Sequence, residues 1–256
     1  MTGLKGNAIR QESAPAFRVK LGPIITAAFL LATPLAGAAE PPLRPGIGTD
    51  DRRVAVDPTR PPWNAIAKVQ SNIGTRCTGA LIAPSTVLTA AHCLYNFRTR
   101  ALLQAVSLHV LFGYARGAYR WHRYVARYEI GPGFDGRKPV LQGSDWARLE
   151  LAGAIPADVA PLPLAADIPP PGSAVALPGY NPDRAQLLMT DLTCHVTGTV
   201  LNGGAVFITH DCDATRGTSG GPLLVERNGS WAVVGINIAA GPQANFALPV
   251  SVLPTQ

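Results

Sequence analysis

Beyond Trp63 the chain has no stretch with the apolar spacing of a three-turn amphipathic helix, and this absence narrows the fold more than any motif does. Short apolar runs bounded by Gly, Pro, Asn and Asp take its place, which is the pattern of consecutive strands. Six such runs, at 65–69, 79–82, 87–91, 107–112, 120–130 and 147–151, precede a proline-dense connector at 155–172. Another six, at 174–177, 186–200, 205–210, 222–226, 231–238 and 245–250, follow it. Asn202-Gly203 and Asn228-Gly229 are hairpin signals. With 26 Gly, 24 Pro and only 15% charged residues, the expected fold is all-β. It comprises two antiparallel six-stranded β-barrels, residues 63–160 and 161–256.

The first 62 residues read differently. Lys5, Arg10, Arg18 and Lys20 precede an apolar stretch at 21–35, then Ala36-Gly37-Ala38-Ala39. That order is a secretory signal peptide over 1–38, with cleavage after Ala38 or, as the near alternative, Ala39. Gly22, Pro23 and Pro34 interrupt the stretch, which is shorter than the roughly 20 residues a spanning helix needs. The mature chain is therefore expected to be secreted or periplasmic and free of the membrane. Residues 39–62, rich in Pro, Gly and charge, read as an arm or pro-segment with little core of its own. The four basic residues less Glu12 account for +3 of the net charge of +6. Without a Lys/Arg cluster interleaved with aromatics, nucleic acid is excluded as a partner. All four cysteines lie in the exported part, where two disulfides are the default and three connectivities are open. No C-x-x-C pair suggests a metal site.

The candidate chemistry sits in Arg216-Gly217-Thr218-Ser219-Gly220-Gly221-Pro222. A serine becomes a nucleophile when a base takes its proton and donors await the oxyanion. The G-x-S-x-G pattern also marks the elbow of α/β-hydrolases, whose acid and histidine follow the serine. No His or Asp lies beyond Ser219, so the base must be upstream. Of His92, His109, His122, His195 and His210, only His92 ends an apolar run beside a cysteine able to pin it. Among the acids between His92 and the serine, Asp135, Asp158 and Asp167 sit in Gly/Pro loops and read as turn chemistry. Asp145 opens a strand.

LTAAHC around His92, SDWARLEL at Asp145 and GTSGGPLL at Ser219, in that order, resemble the three blocks of trypsin-like (chymotrypsin-fold) serine proteases. Gly48-Thr49-Asp50-Asp51-Arg52 is similar to the secreted bacterial branch that includes the V8-like glutamyl endopeptidases. The resemblance covers roughly 54–256. It implies a serine endopeptidase with Ser219 as nucleophile, His92 as general base and acid, and Asp145 as orienter of His92. Gly217 and Ser219 N–H groups would form the oxyanion hole. It implies a protein or peptide substrate, no cofactor, no metal and a monomer. It also implies a Cys77–Cys93 bridge beside the histidine, which leaves Cys194 with Cys212. An inactive homologue acting as a binding module, or an esterase on the same fold, are the alternatives.

The chain departs from the pattern at Thr218, where many relatives carry the aspartate that receives a new N-terminus, so no zymogen switch of that kind is expected. Asp213 stands where trypsin-like enzymes place the acid at the base of the S1 pocket, implying Arg or Lys at P1. The alternative is that Asp213 caps backbone. Ile238 and Ala240 would line the opposite wall, Ala240 narrowing the slot. Asn237 replaces the histidine usual in glutamate-specific members.

Overall fold

The Gly- and Pro-punctuated apolar runs form strands, and the first is one that the sequence pattern does not reveal: β1, Val54–Ala55. The computed structural model describes residues 46–254 other than 49, 139, 140, 185 and 242. The expected signal segment and residues 39–45 of the arm lie outside them. After β1 come β2 (Ile66–Ser71), β3 (Arg76–Ala83), β4 (Thr86–Thr89), β5 (Tyr95–Asn96), β6 (Ala101–Leu102), β7 (Leu108–Phe112), β8 (Trp121–Ile130) and β9 (Ala147–Leu151). The second half supplies β10 (Ala174–Gly179), β11 (Met189–Asn202), β12 (Ala205–His210), β13 (Pro222–Arg227), β14 (Ser230–Ala240) and β15 (Asn245–Pro249). Among the described residues the only helices are short 3₁₀ turns, and none is long and apolar enough to cross a membrane.

Strands β2, β3, β4, β9, β8 and β7 close into an antiparallel barrel. In β8 Val125 is buried while most of its neighbours are partly or fully exposed, as a strand with one wet face requires. The remaining strands form a sheet in the order β1-β11-β10-β13-β14-β15-β12. Because β12 also pairs with β11, six of these return on themselves, with β1 added outside the ring. Both hairpin signals hold. Gly203 and Gly204, at φ +57° and +80°, link β11 to β12, and Asn228 and Gly229, at +53° and +76°, link β13 to β14. Two positive-φ residues are what a type I′ turn demands.

Large side chains such as Ile66, Leu81, Leu88, Phe112 and Leu149 are fully buried, each worth about 1.5–3 kcal/mol. One cluster runs from these into Leu224, Ile236 and Leu248 of the second half. The connector packs as well: Ile155, Val159 and Leu162 are buried, and the Leu162 N–H donates to Leu81 O at 2.8 Å. Thr78 of β3 is a polar joint between the halves. Its hydroxyl donates to Gly217 O at 2.7 Å and accepts the Tyr180 N–H at 2.9 Å. Its own N–H donates to Ser219 O at 2.9 Å.

The arm is tied down from Gly46 onward. Arg53 is buried, bonding Asp51 at 2.8 Å and Asp183 at 2.6 Å. Those carboxylates raise the pKa of the guanidinium above its usual value despite the opposing effect of burial. Gly46, at φ +85°, seats its carbonyl under the Ala214 N–H (2.6 Å) and Asn245 Nδ2 (3.2 Å).

His210 of β12 is wholly buried, its ring bonded to Asn237 Oδ1 at 3.2 Å and its Nδ1 without a partner among the described residues. Desolvation disfavours the cation and pulls its pKa down to about 4, against the weaker pull of Asn237, Asp211 and Asp191. Between about pH 6.5 and 4 the unfolded chain holds a proton that the folded chain refuses, so stability falls as pH drops through that window. The loss approaches about 3 kcal/mol by pH 4 and stops there. Urea denaturation of wild type and His210→Gln across pH 4–7 checks this. The wild type should lose the larger share of its stability, and parallel curves would refute it.

Candidate active site

Strand β4 ends at Thr89, whose hydroxyl donates to Thr78 O at 2.7 Å, and the chain then turns through a 3₁₀ helix, Ala91–Leu94. Ala91, Cys93 and Leu94 are buried there, which leaves His92 facing outward, half-buried. The Cys77–Cys93 disulfide staples this turn to β3. The sulfurs lie close to the His92 ring, but being bonded to each other they are not thiolates and form no metal centre.

Asp145 lies two residues before β9, with 7% of its surface exposed. Both of its oxygens go to His92. Oδ2 takes the ring Nδ1–H at 2.7 Å and Oδ1 takes the main-chain N–H at 2.8 Å. An ionised carboxylate only accepts, so the ring's proton is on Nδ1 and the lone pair on Nε2.

Ser219 is half-buried in the loop between Cys212 and β13, close to the histidine turn: its carbonyl oxygen is 3.7 Å from Cys93 Sγ. The loop's glycines answer to real constraints. A Cβ at Gly220, φ +77°, would lie 2.0 Å from Thr89 Oγ1 and 2.4 Å from Thr78 O. One at Gly217, φ +89°, would meet Tyr180 O at 2.3 Å. Among the described residues the Gly217 and Ser219 N–H groups donate to no protein acceptor, while those of Thr218, Gly220 and Gly221 do. Thr218 is buried, with its hydroxyl bonded by the Asn181 side-chain amide, a neutral pairing. Cys194 and Cys212 form the second disulfide ahead of this loop.

The residues expected at S1 are split. Ile238 lines a cleft of about 720 Å³ together with His92 and Asp145. Asp213 lines a separate cavity of about 370 Å³ with Gly48, Arg52, His210, Ala244 and Asn245. Ala240 lines neither, but backs Gly46, where a Cβ would be 2.9 Å from its own. The Asp213 carboxylate is already engaged: Oδ1 accepts the Gly48 N–H at 2.7 Å, and Oδ2 accepts the Arg52 N–H at 2.7 Å and Nε at 3.3 Å. Arg52 reaches on to the fully buried Asp191 at 3.1 Å. Asp213 therefore caps backbone, though that of a segment about 160 positions away rather than of its own loop. Sequence reasoning missed this partnership and also Thr78 and Asn181. A lone Thr or Asn carries no signal, and Arg52 stood out only as part of a motif.

The sequence model of the Trypsin family matches residues 52–252. A glutamyl endopeptidase of Bacillus licheniformis is 48% identical over 50 residues, which is 20% of this chain and 16% of that protein. A cercarial protease of Schistosoma mansoni is 31% identical over 123 residues, 43% of this chain and 45% of that one. The chain thus spans less than half the length of either relative. A solved Glu endopeptidase in complex with MPD superposes with a TM-score of 0.67 at 23% identity, covering 79% of this chain and 92% of the other, and shares its fold. A family match from 52 to 252 takes in most of the 256 residues, both barrels and all three motif blocks: the chain belongs to the trypsin family.

Proposed function

We propose that the chain is an exported serine endopeptidase acting on proteins or peptides through His92, Asp145 and Ser219. The observation that carries this reading is the double hydrogen bond from Asp145 to His92, at 2.7 and 2.8 Å. A carboxylate that holds both the ring and the backbone of one histidine fixes its direction as well as its tautomer. Nε2 is then the atom that takes the proton of Ser219 Oγ as it attacks the substrate carbonyl. The negative oxygen that forms is met by the N–H groups of Gly217 and Ser219. Collapse of the tetrahedral adduct returns the proton from His92 to the leaving amine and leaves an acyl group on Ser219. Water, activated by the same Nε2, releases it. Asp145 stabilises the imidazolium throughout without taking its proton.

Export is supported by the basic-then-apolar order of residues 1–38 and by two disulfides, which persist outside the cytosol. At S1, the engagement of Asp213 by Arg52 and Gly48 speaks against an enzyme that reads Arg or Lys at P1 through that carboxylate.

A fluorophosphonate probe tests the central reading on the mature protein. Wild type should label and Ser219→Ala should not, whereas no labelling of wild type would leave a binding module. Cleavage of casein-derived peptides rather than of simple esters alone separates peptidase from esterase. Asp145→Asn should lower kcat by about 10⁴ with little change in KM, because it favours the wrong tautomer. In a P1-scanning peptide library, Arg and Lys should earn no advantage over uncharged residues. A strong preference for either would return Asp213 to the selective role.

A further inference from the structure

The cleft beside His92 is chemically distinct from the cavity at Asp213. Its walls come from the turn after the histidine and from the loop that precedes Asp145. Tyr95, Phe134 and Leu141 form its apolar part, and Arg100 and Lys138 bring positive charge to it. Arg137 also lines it but is neutralised by Asp135, in a two-point pairing at 3.0 and 3.1 Å. Asp145 is there too, hydrogen-bonded to a neutral His92 and still carrying its negative charge, which offsets one of the two cations. Among the described residues neither Arg100 nor Lys138 has an ion-pair partner. The cleft is therefore left with net positive charge.

Tyr95 gives the cleft a fixed wall. It is 7% exposed, with its hydroxyl oxygen closed off from solvent. The ring is fixed edge-on to Phe97 at 5.2 Å and to Phe134 at 6.4 Å, and Gly136 lies so close to its face that a Cβ would be 2.4 Å from the ring. A carboxylate on a short aliphatic stem fits this environment: it meets the two cations and lays its methylenes on Phe134 and Leu141.

The backbone places such a group in the substrate. Strand β13 pairs with β14 only as far as Pro222 opposite Ile236, so Ile238–Ala240 run on without a strand partner on that side, while β15 covers the other edge. An extended peptide added to this open edge sends successive side chains to opposite sides. When the P1 side chain enters the second barrel, the residue before it faces the first barrel and the His92 cleft. Resting on the endopeptidase reading above, we infer that this cleft selects an acidic residue, Asp or Glu, immediately N-terminal to P1.

The test uses internally quenched peptides with P1 fixed at the best residue from the scan and P2 set to Glu, Gln, Leu or Lys. For the wild type, kcat/KM with Glu should exceed that with Gln by about tenfold and that with Lys by more, and the gap over Lys should shrink as NaCl rises from 20 mM to 0.5 M, on the order of the range over which surface charges become screened. The Arg100→Glu/Lys138→Glu double variant should reverse the Glu-to-Lys ratio within the same protein. Equal kcat/KM for Glu and Lys at P2, in a wild type that labels with fluorophosphonate, would overturn the inference and leave the peptidase reading standing. A protein that neither labels nor cleaves any of the peptides would overturn both.

Discussion

Everything at the candidate site depends on the carboxylate of Asp145 being spent on a single residue. One oxygen on the His92 ring alone would set a tautomer but leave the turn free to swing. The second, on the main-chain N–H, locks the acid to the turn itself. The disulfide from Cys93 to β3 holds the same turn from behind, and β3 in turn carries Thr78, which bonds the serine loop at both Gly217 and Ser219. Histidine and serine, 127 positions apart in the chain, are thus referred to one strand. Preorganisation of this kind is where rate enhancement comes from, since the donors and the base need not be rearranged when charge develops.

Much of this was legible in the sequence because it is encoded locally. Residues 147–151 and 205–210 form β9 and β12 with the boundaries read from the sequence, and both Asn-Gly pairs mark hairpins, although the first turn is made by Gly203 and Gly204 with Asn202 still in β11. The apolar run at 87–91 was less faithful: β4 stops at Thr89, and Ala91 already belongs to the 3₁₀ turn. An alanine is as content in one as in the other, so hydrophobicity does not carry the boundary. Strands β1, β5 and β6 have two residues each, too few for alternation to register.

The arm shows the other limit. Its polar, proline-rich composition reads as loosely held, yet Arg53 is buried and β1 extends the second sheet. What makes that possible is Asp183, 130 positions away in the chain. Polar residues are expected outside unless paired, and a long-range partner cannot be seen in a composition. Neighbouring Arg52 follows the same rule, sitting between Asp213 and the buried Asp191.

That pairing changes what the acid before the serine loop means. The family resemblance implies that Asp213 stands at the base of the S1 pocket, yet the structure puts it on a cavity separate from the cleft of His92 and Ile238, and its role changes once the partners are counted. A carboxylate with both oxygens held by N–H groups and a guanidinium attracts a second cation less than a bare one does. It gains instead a structural task, anchoring Gly48 and Arg52 against the second barrel and so keeping Gly46 wedged beside Ala240. Positive charge near the candidate site lies instead on the other side of His92, where, among the described residues, Arg100 and Lys138 have no such partners. On the reading proposed above, the family scaffold moves its electrostatic selection from one subsite to the next without altering the triad.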